Sequence, residues 1–157
     1  MSRKTVRIEI REDKTEEVME AMHDALKTAM EACGIQAEAH AVNYITSQGA
    51  VDTGLLRNSI TSVIGGEKPK KPNAHGDNPS KYGKKQAIPF RPYNGTAPAD
   101  PEGKVTVYIG SNVEYAPYVE MGTQNGRHRM AARPYLKPAV DNHQDEYKRI
   151  IQEILSK

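Results

Sequence analysis

The stretch Val105-Thr106-Val107-Tyr108-Ile109-Gly110-Ser111-Asn112 decides the fold class. Val105, Val107 and Ile109 alternate with Thr106 and Tyr108, the period of a strand with one face on a core, and Gly110-Ser111-Asn112 supplies a turn. Upstream, Leu56-Arg57-Asn58-Ser59-Ile60-Thr61-Ser62-Val63-Ile64 is a second strand candidate. Val6, Ile8 and Ile10, alternating with Arg7, Glu9 and Arg11, form a third. Between these two lies a helical pattern. Val18, Met22, Ala25, Ala29, Cys33, Ala37, Ala41 and Tyr44 recur every three or four residues, which predicts an amphipathic helix of about 30 residues ending near Ser47, with Gly49 as stop. Asp13 reads as its cap, with Glu16 completing a capping box. Gly34, in the middle, predicts a kink. Downstream, Tyr115–Met121 fits a short helix or a strand equally, because Pro117 suits a first helical turn or a sheet edge. Pro138 reads as the first residue of a last helix over 138–155, with Val140, Tyr147, Ile150, Ile151, Ile154 and Leu155 as its apolar face. The fold class expected is α+β: a small antiparallel sheet flanked by a long N-terminal helix and a C-terminal helix, in a single domain over 1–157.

Composition sets bounds on this reading. The chain has 157 residues, one core's worth, yet only 37% are hydrophobic, with no Trp and only Phe90 as phenylalanine, so the core should be modest. The net charge of +2 is too small to point to nucleic acid or membrane by itself. It is unevenly spread. Residues 1–47 carry 6 basic and 9 acidic side chains, residues 48–104 carry 9 and 5, and residues 105–157 carry 7 and 6. The middle segment also holds seven of the ten prolines and six glycines between Gly65 and Gly103. Neither helix nor central strand survives that density of helix breakers, so 65–103 is expected to be a long Pro/Gly/Lys-rich loop inserted between strands. No apolar run approaches the ~18 residues of a membrane span, and the first residues lack a signal-peptide core. Cys33 stands alone, which excludes an internal disulfide, and it falls on the helix stripe as a buried, inert thiol. The expectation is a soluble chain folded in a reducing cytoplasm.

Catalytic groupings are not evident. His23, His40, His75, His128 and His143 show no metal-ligand spacing with one another or with Cys33, so no metal and no cofactor is expected. Thr53-Gly54 lacks a Walker lysine, and Ser59 has no glycine elbow around it. The expectation is a protein that is not an enzyme and has no small-molecule substrate. The inserted loop holds Lys68, Lys70, Lys71, Lys81, Lys84, Lys85 and Arg91, interleaved with Tyr82, Phe90 and Tyr93. Such a set could grip nucleic acid through phosphate contacts and stacking, although Glu67, Asp77, Asp100 and Glu102 interrupt it. A solvated loop and a protein-contact arm are the other readings.

Three blocks gain meaning together. The first is Val51-Asp52-Thr53-Gly54-Leu55-Leu56-Arg57-Asn58-Ser59-Ile60. The second is Val107 to Asn112 running into Tyr115-Ala116-Pro117-Tyr118-Val119-Glu120-Met121-Gly122-Thr123. The third is Arg133-Pro134-Tyr135-Leu136-Lys137-Pro138-Ala139. In this order and spacing the chain resembles the tailed-phage neck family, small proteins of the lambdoid head–tail connector and tail-completion type. The blocks cover about a third of the chain by this comparison, and it is their ordered set that carries the resemblance. Met121 and Tyr135 stand where the family often has Phe, and the 65–103 segment is longer and richer in proline than in compact members.

The resemblance implies a minor structural protein of a phage or prophage virion, assembled in the bacterial host cytoplasm. It implies a homo-oligomeric ring at the neck or tail, between the connector or stopper and the tail-tube or tail-terminator proteins, with DNA passing transiently through the channel. The alternative is a nucleic-acid-binding accessory protein using the 65–103 loop. The residues also have a local reading. Asp52-Thr53-Gly54 forms a turn, with Gly54 free to take positive φ. Gly122 lets the chain reverse after Glu120. Glu120 either pairs with Arg57 or Arg133 or the three charges are separately solvated, and Arg133-Pro134-Tyr135-Leu136 is expected to dock the last helix.

Overall fold

A computed structural model describes residues 13–50, 54–69, 96–101, 103–124 and 129–156. Along the chain come α1 (Thr15–Ser47), α2 (Leu55–Ser59), β1 (Thr61–Ile64), β2 (Val107–Gly110), α3 (Ala116–Met121), α4 (Leu136–Asp141) and α5 (Gln144–Leu155). β1 and β2 pair antiparallel, Thr61 opposite Gly110 and Ile64 opposite Val107. The fold is therefore the expected α+β type, with α1 as the spine on which β1, β2, α4 and α5 pack. Among the described residues no helix is long and apolar enough to cross a membrane. The third strand candidate, Val6 to Ile10, lies outside the described residues.

α1 spans 33 residues, about 50 Å at 1.5 Å per residue. Its buried stripe is Ala29, Cys33, Gly34, Ala37, Ala41 and Ile45. Val18 and Met22, at the head of the sequence pattern, are 55% and 66% exposed, because no other described element covers the first turns. The helix runs through Gly34 as one element, and the glycine serves close approach. A Cβ there would lie 2.7 Å from Val107 Cγ2 and 2.8 Å from Ser62 Oγ. The alanine-rich stripe lets the sheet settle onto the helix backbone at this crossing. Glu38, one turn further on, reaches over the sheet edge, and its Oε1 accepts the Ser62 amide at 2.7 Å and the Ser62 hydroxyl at 2.8 Å. At the start of α1 the cap is Lys14. Asp13 sits one residue earlier and accepts from the Thr15 amide and hydroxyl, so the expected capping box with Glu16 does not form.

Two other elements differ from the sequence reading, and one resolves a choice it left open. Residues 56–59 are helix, not strand: Leu55, Leu56, Ser59 and Ile60 are all buried, a helical spacing that a two-residue period cannot supply, and the backbone turns extended at Ile60 to enter the strand Thr61–Ile64. Tyr115–Met121 resolves as helix, with Pro117 in its first turn. The last helix is two. α4 ends at Asp141, Asn142 and His143 form a joint, and α5 resumes at Gln144, while Pro138 lies inside the first turn of α4 instead of opening it. The 65–103 segment is also less irregular at its base than expected. Gly65 N–H donates to Thr106 O, Gly66 N–H to Pro98 O, and Ala97 N–H to Glu67 O, each at 2.9 Å, and Lys27 pairs with Glu67. Ala97 is buried. The feet of the insertion are thus laced together against α1 and the sheet.

Candidate functional site

The three sequence blocks meet in space. Tyr135 is fully buried, and around it pack Leu56 and Ile60 from the first block, Ala116 from the second, Ala139 from the third, and Ala41 and Ile45 from α1. Ile109, Val119 and Leu136 close the cluster from its margins. The blocks are also wired by polar groups. Ser111 Oγ accepts the Val113 amide and is hydrogen-bonded to Ser59 Oγ, which donates to Leu56 O at 2.7 Å. Gly54 opens α2 at φ 83°, and is buried there, so the left-handed turn predicted for it is present. Asp52 and Thr53 lie outside the described residues. Leu55 is buried, and Arg57, half-buried, has its Nε 3.4 Å from Asn58 Oδ1.

Glu120 is the keystone of this arrangement, by a route different from the ion pair. Its Oε2 accepts the amides of Tyr135 at 2.7 Å and Leu136 at 3.0 Å, and its Oε1 accepts that of Lys137 at 3.0 Å. An α-helix leaves its first four amides without intrahelical acceptors. In α4 the carboxylate takes three of them, and the fourth position is Pro138, which has no N–H. The partner of Glu120 is therefore the start of a helix, where a negative charge is favoured, and not a guanidinium. Arg133 contributes through its backbone, donating to Val119 O at 2.8 Å, while its side chain is exposed. Pro134 presents its carbonyl to the Gln48 amide group at 2.8 Å. Between these contacts Gly122 turns the chain at φ 72°, with Met130 O only 2.6 Å from where a Cβ would stand. Thr123 and Met130 then bridge antiparallel. Tyr115 is partly exposed at the start of α3.

A second cluster joins the far ends of the chain. His40 on α1 and His143 in the α4–α5 joint stack with ring centroids 3.4 Å apart and planes 10° from parallel. Glu146 Oε2 lies 2.8 Å from His40 Nε2 and 3.4 Å from His143 Nδ1. The hydrogen bond to His40 holds the Glu146 carboxyl below its ordinary range. Nearby, Cys33 is buried, as expected, its thiol directed at Tyr147 O at 3.6 Å, and burial pushes its pKa up. The histidine reading from sequence missed this cluster. His143 and Glu146 show a visible three-residue spacing, but His40 lies 106 residues from Glu146, and only the docking of α5 on α1 unites them.

Of the basic loop set, Lys68 is described and is exposed at the foot of the insertion, where it lines a cleft of about 240 Å³ with Glu31, Ile35, Glu38 and Val107. Lys70, Lys71, Lys81, Tyr82, Lys84, Lys85, Phe90 and Arg91 lie outside the described residues. No protein family, curated protein or solved structure gives a significant match to this chain.

Proposed function

We propose that this chain is a structural subunit of the tailed-phage head–tail interface, acting by forming a ring that joins connector to tail tube. The observation that carries the reading is the convergence of the three blocks. The residues whose ordered set resembles the neck family are those that build the core around Tyr135 and the Glu120 cap. A motif that is the fold's own core travels as a unit with that fold, whereas scattered matches would be chance.

The distribution of exposed apolar side chains also supports a ring. Val18, Met19 and Met22 stand exposed on the first turns of α1, which no other described element covers. Tyr118, Met121 and Met130 stand exposed on α3 and the bridge that follows it. α3 joins, through Ala116, the core cluster that holds Ala41 and Ile45 of α1, and Ala41 lies roughly 28 Å along the helix from Met22. Two unlike patches so separated suit a heterologous contact in which one copy's helix tip meets the next copy's α3, and such contacts form rings where the rotation between copies closes. The mechanism is geometric: a rigid α1 sets the spacing, and chemistry is not required.

The test is deletion of this gene from the parent phage, with the lysate viewed by negative-stain microscopy. Filled heads separate from tails, restored to whole particles by the purified protein, are the expected result. Whole particles without the gene product would end the neck reading, and salt-dependent DNA binding by the purified chain would then favour the accessory role.

A further inference from the structure

We propose that His40, His143 and Glu146 form a binding site for a borderline transition-metal ion of the Zn2+ class, which staples α5 to α1. Two imidazoles and one carboxylate are the donor set that such ions take, whereas Mg2+ and Ca2+ call for oxygen ligands throughout. The spacing fits. A tetrahedral ion with bonds of about 2.0–2.1 Å holds its donor atoms roughly 3.4 Å apart. Here the donor atoms of all three side chains lie within 4.8 Å of one another, with His40 Nε2 and His143 Nδ1 at 2.8 and 3.4 Å from Glu146 Oε2. In the metal-free protein a proton between His40 and Glu146 keeps those atoms together; the ion takes the place of that proton. The rings are stacked nearly parallel, so capture of an ion fans them apart by rotation about the side-chain bonds.

The surroundings allow that movement and limit it. The three side chains are 16%, 26% and 31% exposed in the order His40, His143, Glu146, open enough for an ion to enter and for water to fill a fourth position. The Tyr147 ring stands edge-on to His40 at 6.3 Å and the Tyr44 ring edge-on to His143 at 6.2 Å. His40 is fixed on a long helix, and Tyr44 is further tied through Asn142, whose amide donates to its hydroxyl at 3.1 Å. The mechanical need is plain as well. α5 packs chiefly on α1 yet contains no fully buried residue, so its attachment rests on half-covered side chains. A metal bridging α1 to the first turn of α5 closes that joint, and because it binds only the folded chain it raises stability with ion concentration. The site is independent of the ring reading and stands or falls without it.

Isothermal titration of the metal-free full chain with zinc chloride tests the site. One ion bound per chain is expected, with a rise in melting temperature that EDTA reverses. His143→Ala and Glu146→Gln, both on the surface side of the joint, should each weaken binding at least about 10-fold while circular dichroism stays native. His23→Ala, on the uncovered part of α1, should leave binding unchanged. Cobalt(II) added to the wild-type chain gives a readout that needs no variant, since four-coordinate binding produces intense visible bands and a loosely held, fully hydrated ion does not. Absence of zinc binding, binding unmoved by His143→Ala, or only the weak hydrated cobalt spectrum would overturn the proposal.

Discussion

Tyr135 fills the centre of the core, yet its hydroxyl is buried with no hydrogen-bond partner among the described residues. Burial, with the Glu120 charge adding to it, pushes the phenol far above its ordinary ionisation range, so the group stays a neutral, unpaired donor. A buried polar group without a partner costs about 1–3 kcal/mol, and a phenyl ring keeps the packing without that cost. Tyr135→Phe should therefore leave stability unchanged or raise it by up to ~1 kcal/mol, while Tyr135→Ala should lose ~3–5 kcal/mol. Thermal melting of the two variants separates the ring's contribution from the hydroxyl's. Gly34 makes the opposite case. Alanine is about 1 kcal/mol better than glycine inside an exposed helix. Here its Cβ would fall within 3 Å of Ser62 and Val107 side-chain atoms. Overpacking of that kind costs ~1–3 kcal/mol, so Gly34→Ala should lower the melting point, against its helix propensity. A variant that melts higher would mean that β1 gives way readily at this crossing. From sequence alone Gly34 reads as a kink, because propensity describes the helix and says nothing of the strand laid across it.

At the level of elements, α4 is six residues long, too short to be stable by propensity, and depends on what holds its ends. Glu120 holds the first. Glu120→Ala would leave three amides unanswered, two of them part-buried, and should cost ~1.5–3 kcal/mol, the range for hydrogen bonds to a charged group. Glu120→Gln retains one acceptor oxygen and should fall between. If Glu120→Ala melts like the wild type, water has replaced the carboxylate and the cap is incidental. The attachment of α5 titrates differently. Glu146 has its carboxyl lowered from an ordinary 4.5, first by the His40 hydrogen bond. A carboxyl depressed in the folded state stabilises fully above its unfolded value, and that stabilisation disappears as the pH falls through the folded one. The melting-point gap between wild type and Glu146→Gln should thus be open above pH ~4.5 and close below it. A gap that persists at low pH would show that the contact is one of packing alone. Elements were legible where one period ruled: α1 from its alanine stripe, β2 from Val107 and Ile109. They were misread where packing set the local form. Leu55 to Ile60 carries both a strand's β-branched end and a helix's spacing, and only the pocket around Tyr135 decides for the helical turn. The start of α4 is set by Glu120, which fixes it at Leu136, two residues before the proline that sequence takes as the start.

On the scale of the whole molecule, the described residues form one core with α1 extending beyond it, and the insertion leaves this body at a laced base. The motif blocks were legible as a set because the core needs them together; His40, His143 and Glu146 were not, because their meeting depends on how α5 lies on α1. The lacing at Gly65, Gly66 and Ala97 bears on what the insertion does. Because Gly66 and Pro98 are hydrogen-bonded, the chain leaves at 69 and returns at 96 over a span that a few residues can bridge, at up to ~3.5 Å each. Replacing residues 70–95 by a short Gly/Ser linker should therefore preserve the core, and the shorter loop should favour folding by roughly 1 kcal/mol of closure entropy. The expected melting point is equal to or slightly above that of the full chain. If the insertion is a contact arm of the ring, the same variant should fail to restore whole particles to a deletion lysate while remaining folded. Full rescue would confine the ring contacts to α1 and α3 and leave the insertion outside the joint. Loss of the melting transition would instead mean that residues of the insertion complete the core, and that the polar bonds at its base are the edge of a larger packed unit.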